Sequence, residues 1–180
     1  CHVLEIEKIA KKYNLKVIYD AAHCFGVQYD GESIFNFGDV STCSFHATKI
    51  FHTGEGGCMI TKNQDLHEKL FFHHNFGHNG PEDFHGLGIN AKTSELQAAL
   101  GLAVFNHIDK IFEGRKKAVE AYDNFLDFSK IQKLKIRENT RWNYHYYPVI
   151  FDSEETLLKV KEVLNKENIF PRRYFYPSLN

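Results

Sequence analysis

Apolar side chains recur at helical spacing near the start of the chain. Within residues 4–13 they share one face, opposite Glu and Lys side chains: Ile6, Ile9, Ala10 and Tyr13. This pattern predicts an amphipathic helix, and Asn14 is a residue type that ends helices in a left-handed conformation. The run Lys16–Tyr19 then predicts a short buried strand. Helix, tight turn and strand together indicate half of a parallel βαβ crossover, in which ligands gather at the carboxyl ends of strands.

Between residues 26 and 90, short apolar runs alternate with glycine-rich segments. Apolar runs of this length predict buried strands, and the glycines predict turns. We therefore expect a loop or short hairpin over 26–39, strands over 40–45 and 57–61, a helix over 65–72 and a long loop over 73–90. Loops of that length within a compact domain are usually functional.

Helical spacing returns at Thr93, where Ser94 and Gln97 have the spacing of a capping box. The apolar positions from 96 to 126 fit either one long helix or two helices with a bend near Asn106. Beyond them, the pattern predicts a strand over 144–151, a helix over 153–165 and an extended segment from Ile169. The predicted fold class is α/β. Residues 1–108 are assigned to a large domain with a mostly parallel sheet and flanking helices, and 109–180 to a small α+β domain.

Composition and charge exclude several classes of protein. Of the 180 residues, 43% are hydrophobic and 25% charged, which is typical of a globular domain, and the net charge of -1 disfavours nucleic acid or an anionic membrane as a partner. No apolar run approaches the roughly 20 residues of a membrane helix. The four cysteines form no C-x-x-C pair, so we expect reduced thiols in a cytoplasmic protein. Because the chain starts and stops in mid-pattern, we expect a piece of a longer protein.

The candidate chemistry lies in two strand ends. Asp20 ends one apolar run, and Ser44 ends the next, five residues before Lys49 and the glycine turn 54–57. Pyridoxal 5′-phosphate (PLP) needs a lysine amine that binds it and moves protons, a carboxylate for its ring nitrogen, and donors for its phosphate. These three side chains meet that requirement, but a surface ion pair between Asp20 and Lys49 explains the same spacing.

Several ordered motifs closely resemble the DegT/StrS-type sugar aminotransferases, which are fold-type-I PLP enzymes. The motifs are Val17–His23 (VIYDAAH), Gly38-Asp39, Ser44-Phe45 with Lys49, Gly54–Gly57 (GEGG) and Gly88–Ala99 (GINAKTSELQAA). They follow the order and spacing of the family, and the resemblance covers nearly the whole chain. The resemblance also implies that the chain lacks the family's N-terminal part and the end of the small domain.

The resemblance implies a role for five residues. Lys49 is implied to bind the cofactor covalently and to shuttle protons, and Asp20 to pair with the pyridine nitrogen. His23 is implied to lie close to the cofactor's phenolic oxygen, and Ser44 to bind its phosphate. Asn90 is implied to reach the phosphate of a neighbouring subunit, which predicts a homodimer with shared active sites. Because the dehydratase branch has His in place of this lysine, the chain resembles the aminotransferase branch.

Other polar residues have weaker signals. Arg172, Arg173 and Tyr174 are candidates for substrate binding, with a solvated arginine pair as the alternative; the family often has His where Asn180 follows Leu179. Four histidines stand in the 73–90 loop, at spacings that match no zinc template, so we expect no metal site.

The expected function follows from the resemblance. It is transfer of an amino group, from L-glutamate in most of the family, to a nucleotide-linked keto sugar for surface polysaccharide or glycoside biosynthesis. Two alternatives remain open at this point: another PLP-dependent reaction on the same fold, and a non-catalytic sensor or interaction protein that kept the fold.

Overall fold

The structure, a computed structural model, describes residues 1–178. The elements follow in this order: α1 (Val3–Tyr13), β1 (Ile18–Asp20), β2 (Gln28–Tyr29), β3 (Glu32–Ser33), β4 (Val40–Ser44), β5 (Gly57–Ile60), α2 (Gln64–His73), α3 (Glu95–Phe105), α4 (Ile108–Phe125), β6 (Gln132–Lys133), β7 (Thr140–Arg141), β8 (Val149–Ile150) and α5 (Glu154–Lys166). A short 3-10 turn, Ile34–Asn36, follows β3. The predicted α/β class is confirmed.

The chain divides into two compact units. Unit 1 contains Cys1–Glu120 and Ile136–His145, and unit 2 contains Ala121–Lys135 and the residues from Tyr146 onward. Both units draw on separated stretches of sequence, because the chain leaves unit 1 within α4 and returns to it briefly before Tyr146. The sequence-based boundary at residue 108 concerns the domains of the whole protein and stays a prediction.

Unit 1 is built on a three-stranded sheet in the order β1-β4-β5. Strand β1 pairs with β4 in parallel, as the helix–turn–strand pattern predicts, and β5 adds an antiparallel strand on the other side of β4. Helix α1 precedes the sheet and ends at Asn14, which has φ +50°. The buried apolar side chains of this unit include Val3, Ala10, Ala21, Val40, Cys43, Ile50 and Val119.

Asp39 fixes the register between β1 and β4. Its carboxylate accepts hydrogen bonds from the Val17 amide at 2.8 Å and the Lys16 amine at 3.0 Å, and its own amide donates to the Val17 carbonyl at 2.9 Å. The Val17 hydrogen bond is the largest cause of the lowered pKa of Asp39, and the bond from Lys16 adds to it. Because the two strands are joined at their starts, Asp20 at the end of β1 lies beside Thr42 of β4.

The structure refines one predicted element and contradicts most of another. The helical region from 93 to 126 is two helices, α3 and α4, and both hydrogen bonds of the capping box between Ser94 and Gln97 are present. The strand predicted over 144–151 is wrong for most of its length, since only Val149–Ile150 is a strand. Tyr144 has φ +58°, which breaks an extended backbone, and Pro148 has no amide hydrogen for a ladder.

Unit 2 contains a two-stranded antiparallel pair, β6 with β8, the last residues of α4, and α5. Asp123 of α4 joins these parts, because its carboxylate accepts hydrogen bonds from the Lys133 amine of β6 at 2.8 Å and from the Tyr147 hydroxyl before β8. Burial and the contact with Asp123 raise the pKa of Tyr147 to about 12. Helix α5 begins at a Ser153 cap, as the sequence pattern predicts.

Candidate active site

Two candidate residues lie at the carboxyl ends of adjacent strands. Asp20 ends β1 and Ser44 ends β4, and the parallel pairing brings both strand ends to one edge of the sheet. The Asp20 carboxylate accepts a hydrogen bond from the Ala22 amide at 3.1 Å, which orients it in the loop after β1. The Ser44 hydroxyl accepts a longer bond, 3.3 Å, from the His46 amide. Both side chains are therefore held by local backbone contacts at the edge where ligands collect.

The loop after β4, which carries Lys49, is closed at its base. The Phe45 amide donates to the Gly56 carbonyl at 2.8 Å, and the Thr53 amide donates to the Phe45 carbonyl at 2.9 Å. The buried Thr53 hydroxyl donates to the Glu55 carbonyl at 2.7 Å. Gly54 has φ +78°, a conformation that glycine adopts without the steric cost other residues incur. The glycine turn therefore returns the chain into β5 directly beside the end of β4.

Aromatic packing fixes the middle of this loop. Phe51 stacks on Phe25 with ring centroids 4.7 Å apart, and meets Phe45 edge-on at 5.0 Å. Phe105 of α3 approaches Phe51 edge-on at 6.0 Å, and Ile50 is only 3% exposed. Lys49 directly precedes the buried Ile50 and is itself half-buried, with its amide donating to the His46 carbonyl at 2.8 Å. A lysine anchored on both sides has a restricted range of positions for its amine.

His23 links the lysine and the aspartate electrostatically. Burial lowers its pKa, the nearby charge of Lys49 lowers it further, and the Asp20 carboxylate acts in the opposite direction. Asp20 ends β1 and His23 follows in the next loop, while Ser44 ends β4 and Lys49 follows in its loop. Because β1 and β4 are parallel, both loops leave the same edge of the sheet.

Two buried residues that the sequence patterns did not single out complete this cluster. His145 is 4% exposed and meets His23 edge-on with ring centroids 5.0 Å apart. Asn143 is 2% exposed, and its amide group donates to the carbonyls of His23 and Phe25 at 2.8 and 2.9 Å. The segment Ile136–His145 therefore returns to unit 1 to hold the loop after β1.

His145 also contacts the lysine loop directly. Its Nε2 donates to the carbonyl of Thr48, the residue before Lys49, at 3.1 Å, and its own carbonyl accepts from Arg115 at 3.4 Å. Burial is the largest cause of a lowered pKa for His145; the Thr48 bond opposes it, while His23, Lys49 and Arg115 lower it further. The neutral imidazole is thus the form this site favours.

The alternation of polar with aromatic residues is the sequence feature that could have identified Asn143 and His145 as buried. In the run Trp142–Tyr147 (WNYHYY), Asn143 and His145 stand two apart among aromatic residues. Two polar residues on one side of an aromatic run indicate a buried polar contact, since unpaired buried polar groups are costly. The strand predicted over 144–151 does not account for that signal.

Asn90 lies elsewhere in unit 1, on the exposed end of the long loop. Its backbone pairs with Asn75, and the amides of Ile89 and Ala91 donate to His73 and His74 at 2.8 and 2.9 Å. Its side-chain oxygen accepts from the Lys92 amine at 2.6 Å. The segment is thus an ordered platform that presents Asn90 at the surface of the unit.

The three residues predicted to bind substrate lie in unit 2. Arg173 forms an ion pair with Glu154 at 2.6 Å and covers the Tyr176 ring, whereas Arg172 and Tyr174 are exposed. Their role in substrate binding stays a prediction, and the departure at Leu179 and Asn180 lies outside the described residues. Across residues 1–178, no three His, Cys, Asp or Glu side chains are grouped so as to hold a metal ion. A bilayer-spanning helix is likewise not found in that part of the chain.

Comparison with curated proteins gives close relatives. The chain is 41% identical to a dTDP-4-amino-4,6-dideoxy-D-glucose transaminase of Shigella dysenteriae over 99% of its length, and 35% identical to an Escherichia coli protein with the same description over 100%. In both cases it covers 50% of the relative. The chain therefore spans about half the length of the curated relatives it matches.

Solved structures share the fold. The structure of DesI in the presence of its TDP-sugar product matches with a TM-score of 0.87 and 31% identity, over 99% of this chain and 46% of that one. Helicobacter pylori PseC, an aminotransferase of pseudaminic acid biosynthesis, matches with a TM-score of 0.88 and 27% identity, over 98% and 50%. The PLP-form of a Streptococcus pneumoniae sugar aminotransferase described as putative, 22% identical with a TM-score of 0.87 over 98% and 52%, shares the fold.

One family model matches the chain over its whole length. The description of that model is DegT/DnrJ/EryC1/StrS aminotransferase family, and its match runs over residues 1–180. The match agrees with the motifs around Asp20, Lys49 and Asn90, with Asp20 at the end of β1 and Lys49 in the loop after β4. The chain belongs to the DegT/DnrJ/EryC1/StrS aminotransferase family.

Proposed function

We propose that the whole protein is a PLP-dependent aminotransferase that moves an amino group from L-glutamate to a nucleotide-linked keto sugar. The observation that carries this proposal is that the loops bearing His23 and Lys49 follow parallel strands at one sheet edge and are both contacted by His145. The relatives named for dTDP-linked amino sugars support the substrate class. The proposal concerns the whole protein, because the chain spans about half of these relatives.

The chemistry of the donor set fits PLP. A half-buried lysine amine, an aspartate at a strand end and a serine hydroxyl at the next strand end are the three kinds of group that PLP requires. Lys49 would hold the cofactor, Asp20 would pair with its ring nitrogen, and Ser44 would bind its phosphate. When bound, the cofactor supplies an electron sink for the carbon from which a proton leaves.

The chain's own residues then have separate tasks. Lys49 removes and returns a proton, a role typically worth about 10²–10⁴ in rate. The Asp20 carboxylate would pair with the ring nitrogen of the cofactor, where an opposite charge favours the protonated ring. The pKa of His23 is lowered by burial and by Lys49 and raised by Asp20, and the lowered pKa favours a neutral imidazole, which can share a hydrogen bond without adding a positive charge.

We propose a homodimer in the cytoplasm with active sites shared between subunits. The Asn90 segment supports this, because it is ordered and exposed, and large apolar side chains surround it in sequence. Leu87 is 92% exposed, Ile89 69% and Leu96 84%. Large exposed apolar side chains close together in sequence favour an interaction surface here, and Asn90 would reach the partner's cofactor phosphate from there.

The first experiment asks whether PLP binds at Lys49. The whole protein is incubated with PLP, reduced with borohydride and digested, and the modified peptide is identified by mass spectrometry. We expect a pyridoxyl group on Lys49 and loss of that label in Lys49→Ala, whereas Lys62→Ala serves as the matched control and keeps it. Absence of label on Lys49 in the unmodified protein would refute the cofactor site and favour a non-catalytic role.

The second experiment separates transamination from other PLP chemistry. Glutamate alone is added to the PLP-loaded protein, and the cofactor spectrum and 2-oxoglutarate are followed. We expect conversion to the pyridoxamine form with one equivalent of 2-oxoglutarate per site. A protein that binds PLP on Lys49 but never exchanges with any amino acid is not an aminotransferase, and another PLP-dependent reaction then becomes the better reading.

A further inference from the structure

Cys43 and Cys58 face each other across the two antiparallel strands of the sheet. They are directly opposed in the register of β4 and β5, so their side chains lie on the same face. Directly opposed residues of an antiparallel pair have Cβ atoms about 4.5–5.5 Å apart, close to the separation a disulfide requires. Both cysteines are free thiols in this structure.

The strands approach unusually closely beside this pair. A Cβ atom added at Gly57, the residue before Cys58, would lie 2.8 Å from the Cys43 carbonyl oxygen. Only a residue without a Cβ fits there, so Gly57 permits the short distance between the strands. The two thiols interact closely enough that the pKa of each depends on the other.

The two thiols differ in access and acidity. Cys43 is 3% exposed, whereas Cys58 is exposed. The interaction between the two thiols lowers the pKa of Cys58 and raises that of Cys43, with burial adding to the increase at Cys43. Cys58 is therefore the better nucleophile, because the thiolate is the reactive form, and Cys43 is placed to react second.

A groove of about 930 Å³ gives small molecules a path to the pair. Both cysteines line it, together with His67, His74 and Lys92. The groove lies wholly within unit 1.

We propose that Cys43 and Cys58 are a redox modification site, which a hydroperoxide converts to a reversible cross-strand disulfide. This site depends on the strand register and not on the proposed PLP chemistry. The exposed sulfur and the buried sulfur act in sequence, so a single oxidant molecule suffices.

The reaction balances with hydrogen peroxide as the oxidant. The Cys58 thiolate attacks one peroxide oxygen, the O–O bond breaks, and the leaving hydroxide takes up a proton as water, which leaves a sulfenic acid on Cys58. The Cys43 sulfur then attacks the Cys58 sulfur, the S–O bond breaks, and the departing hydroxyl takes the Cys43 proton as a second water. Two thiols are oxidised to one disulfide and the peroxide is reduced to two waters. A dithiol reverses the change by exchange.

The test treats the whole protein with a small excess of hydrogen peroxide under native conditions. Free thiols are then alkylated, and the protein is digested without reduction. Cleavage after Lys49 separates Cys43 from Cys58, and cleavage after Glu32 separates Cys24 from Cys43. We expect one linked peptide pair, Cys43 with Cys58, which has lost two hydrogens and disappears after dithiothreitol.

Matched variants assign the roles. Cys58→Ser should abolish the linked pair, whereas Cys1→Ser and Cys24→Ser should retain it. If Cys58→Ser does not fold, iodoacetamide labelling of the unmodified protein serves instead, and Cys58 should be alkylated at least about tenfold faster than Cys43. A bridge between Cys24 and Cys43, or further oxidation of Cys58 with no bridge, would overturn the proposal.

Discussion

His145 Nε2 donates a hydrogen bond of 3.1 Å to the carbonyl of Thr48, the residue immediately before Lys49. Ninety-seven residues of sequence separate the two partners. The contact fixes one peptide of the lysine loop against a side chain that is 4% exposed. His145 therefore acts as a positioning residue: it sets where the backbone of Lys49 begins, and it does so in the neutral form.

The first prediction concerns that contact. His145→Phe keeps a ring but leaves the Thr48 carbonyl without its donor, so the lysine loop should shift. A displacement of about 1 Å near reacting groups can cost about 10²-fold in rate. We expect kcat for amination to fall by about 10–10²-fold, with a smaller change in KM.

A conservative variant provides the control. The His145→Gln side chain can still donate to the Thr48 carbonyl and should recover a large part of the lost activity. Equal losses in both variants, with unchanged labelling of Lys49 by PLP and borohydride, would show that the hydrogen bond has no positioning role.

The second prediction concerns pH. Burial lowers the pKa of His145 and of His23 in the folded state, so the unfolded chain binds more protons just below the ordinary histidine pKa of about 6.5. The contribution of these two histidines to the free energy of unfolding is therefore complete above about pH 6.5, and it is lost as the pH falls through their folded-state pKa. We expect the free energy of unfolding, measured by urea titration, to decrease between about pH 7 and about pH 5.

Substitution tests the assignment of this effect. His145→Gln should flatten the pH dependence, because it removes one of the two groups. His107→Gln, at an exposed position between α3 and α4, should leave the slope unchanged. A slope that is the same in all three proteins would place the proton uptake on other residues.

Local patterns in the sequence predicted the frame of the site. The apolar runs placed Asp20 and Ser44 at strand ends, and helical spacing located the capping box at Ser94. These features depend on neighbours within a few residues, which periodicity and turn chemistry report directly. The structure therefore reproduces them within about two residues, the usual uncertainty of element boundaries.

Contacts between distant segments were not accessible in that way. Asn143 bonds to carbonyls more than a hundred residues earlier in the chain, and the opposition of Cys43 and Cys58 follows from a strand register that no local pattern encodes. The left-handed Tyr144 also broke a strand that its aromatic neighbours favoured. Tertiary hydrogen bonds decided the backbone at these places, overriding local propensity.

The third prediction compares two helical glycines. A Cβ at Gly101 in α3 would lie 2.8 Å from Thr53 Cγ2, whereas a Cβ at Gly114 in α4 would meet nothing within 4 Å. Thr53 is buried at the base of the lysine loop, so Gly101→Ala should force α3 away from that loop. We expect a loss of about 1–3 kcal/mol in the free energy of unfolding, together with reduced labelling of Lys49 by PLP.

Gly114→Ala is the matched control. It adds a helix-favouring residue in open space and should raise the free energy of unfolding by about 0.5–1 kcal/mol. Urea titration of both variants measures the difference directly. Equal effects of the two substitutions would mean that α3 does not pack against Thr53 as closely as the contact distance indicates.

The last prediction tests whether Asn90 acts across a subunit interface. Lys49→Ala and Asn90→Ala should each be inactive, because each removes one half of every site. In a hybrid dimer of the two variants, one site lacks both residues and the other retains both. Random exchange of subunits makes half of the dimers hybrids, so the mixture should regain about a quarter of the wild-type activity. Subunits are mixed under mild denaturation, and the activity is followed as dimers re-form. If Asn90 served the site of its own subunit, every site in the hybrid would lack one residue and no activity would return.

Two controls accompany this test. Mixing each variant with itself gives the baseline activity. Asn75→Ala removes the side chain of the residue whose backbone pairs with Asn90, so it distinguishes loss of the loop's order from loss of the Asn90 amide.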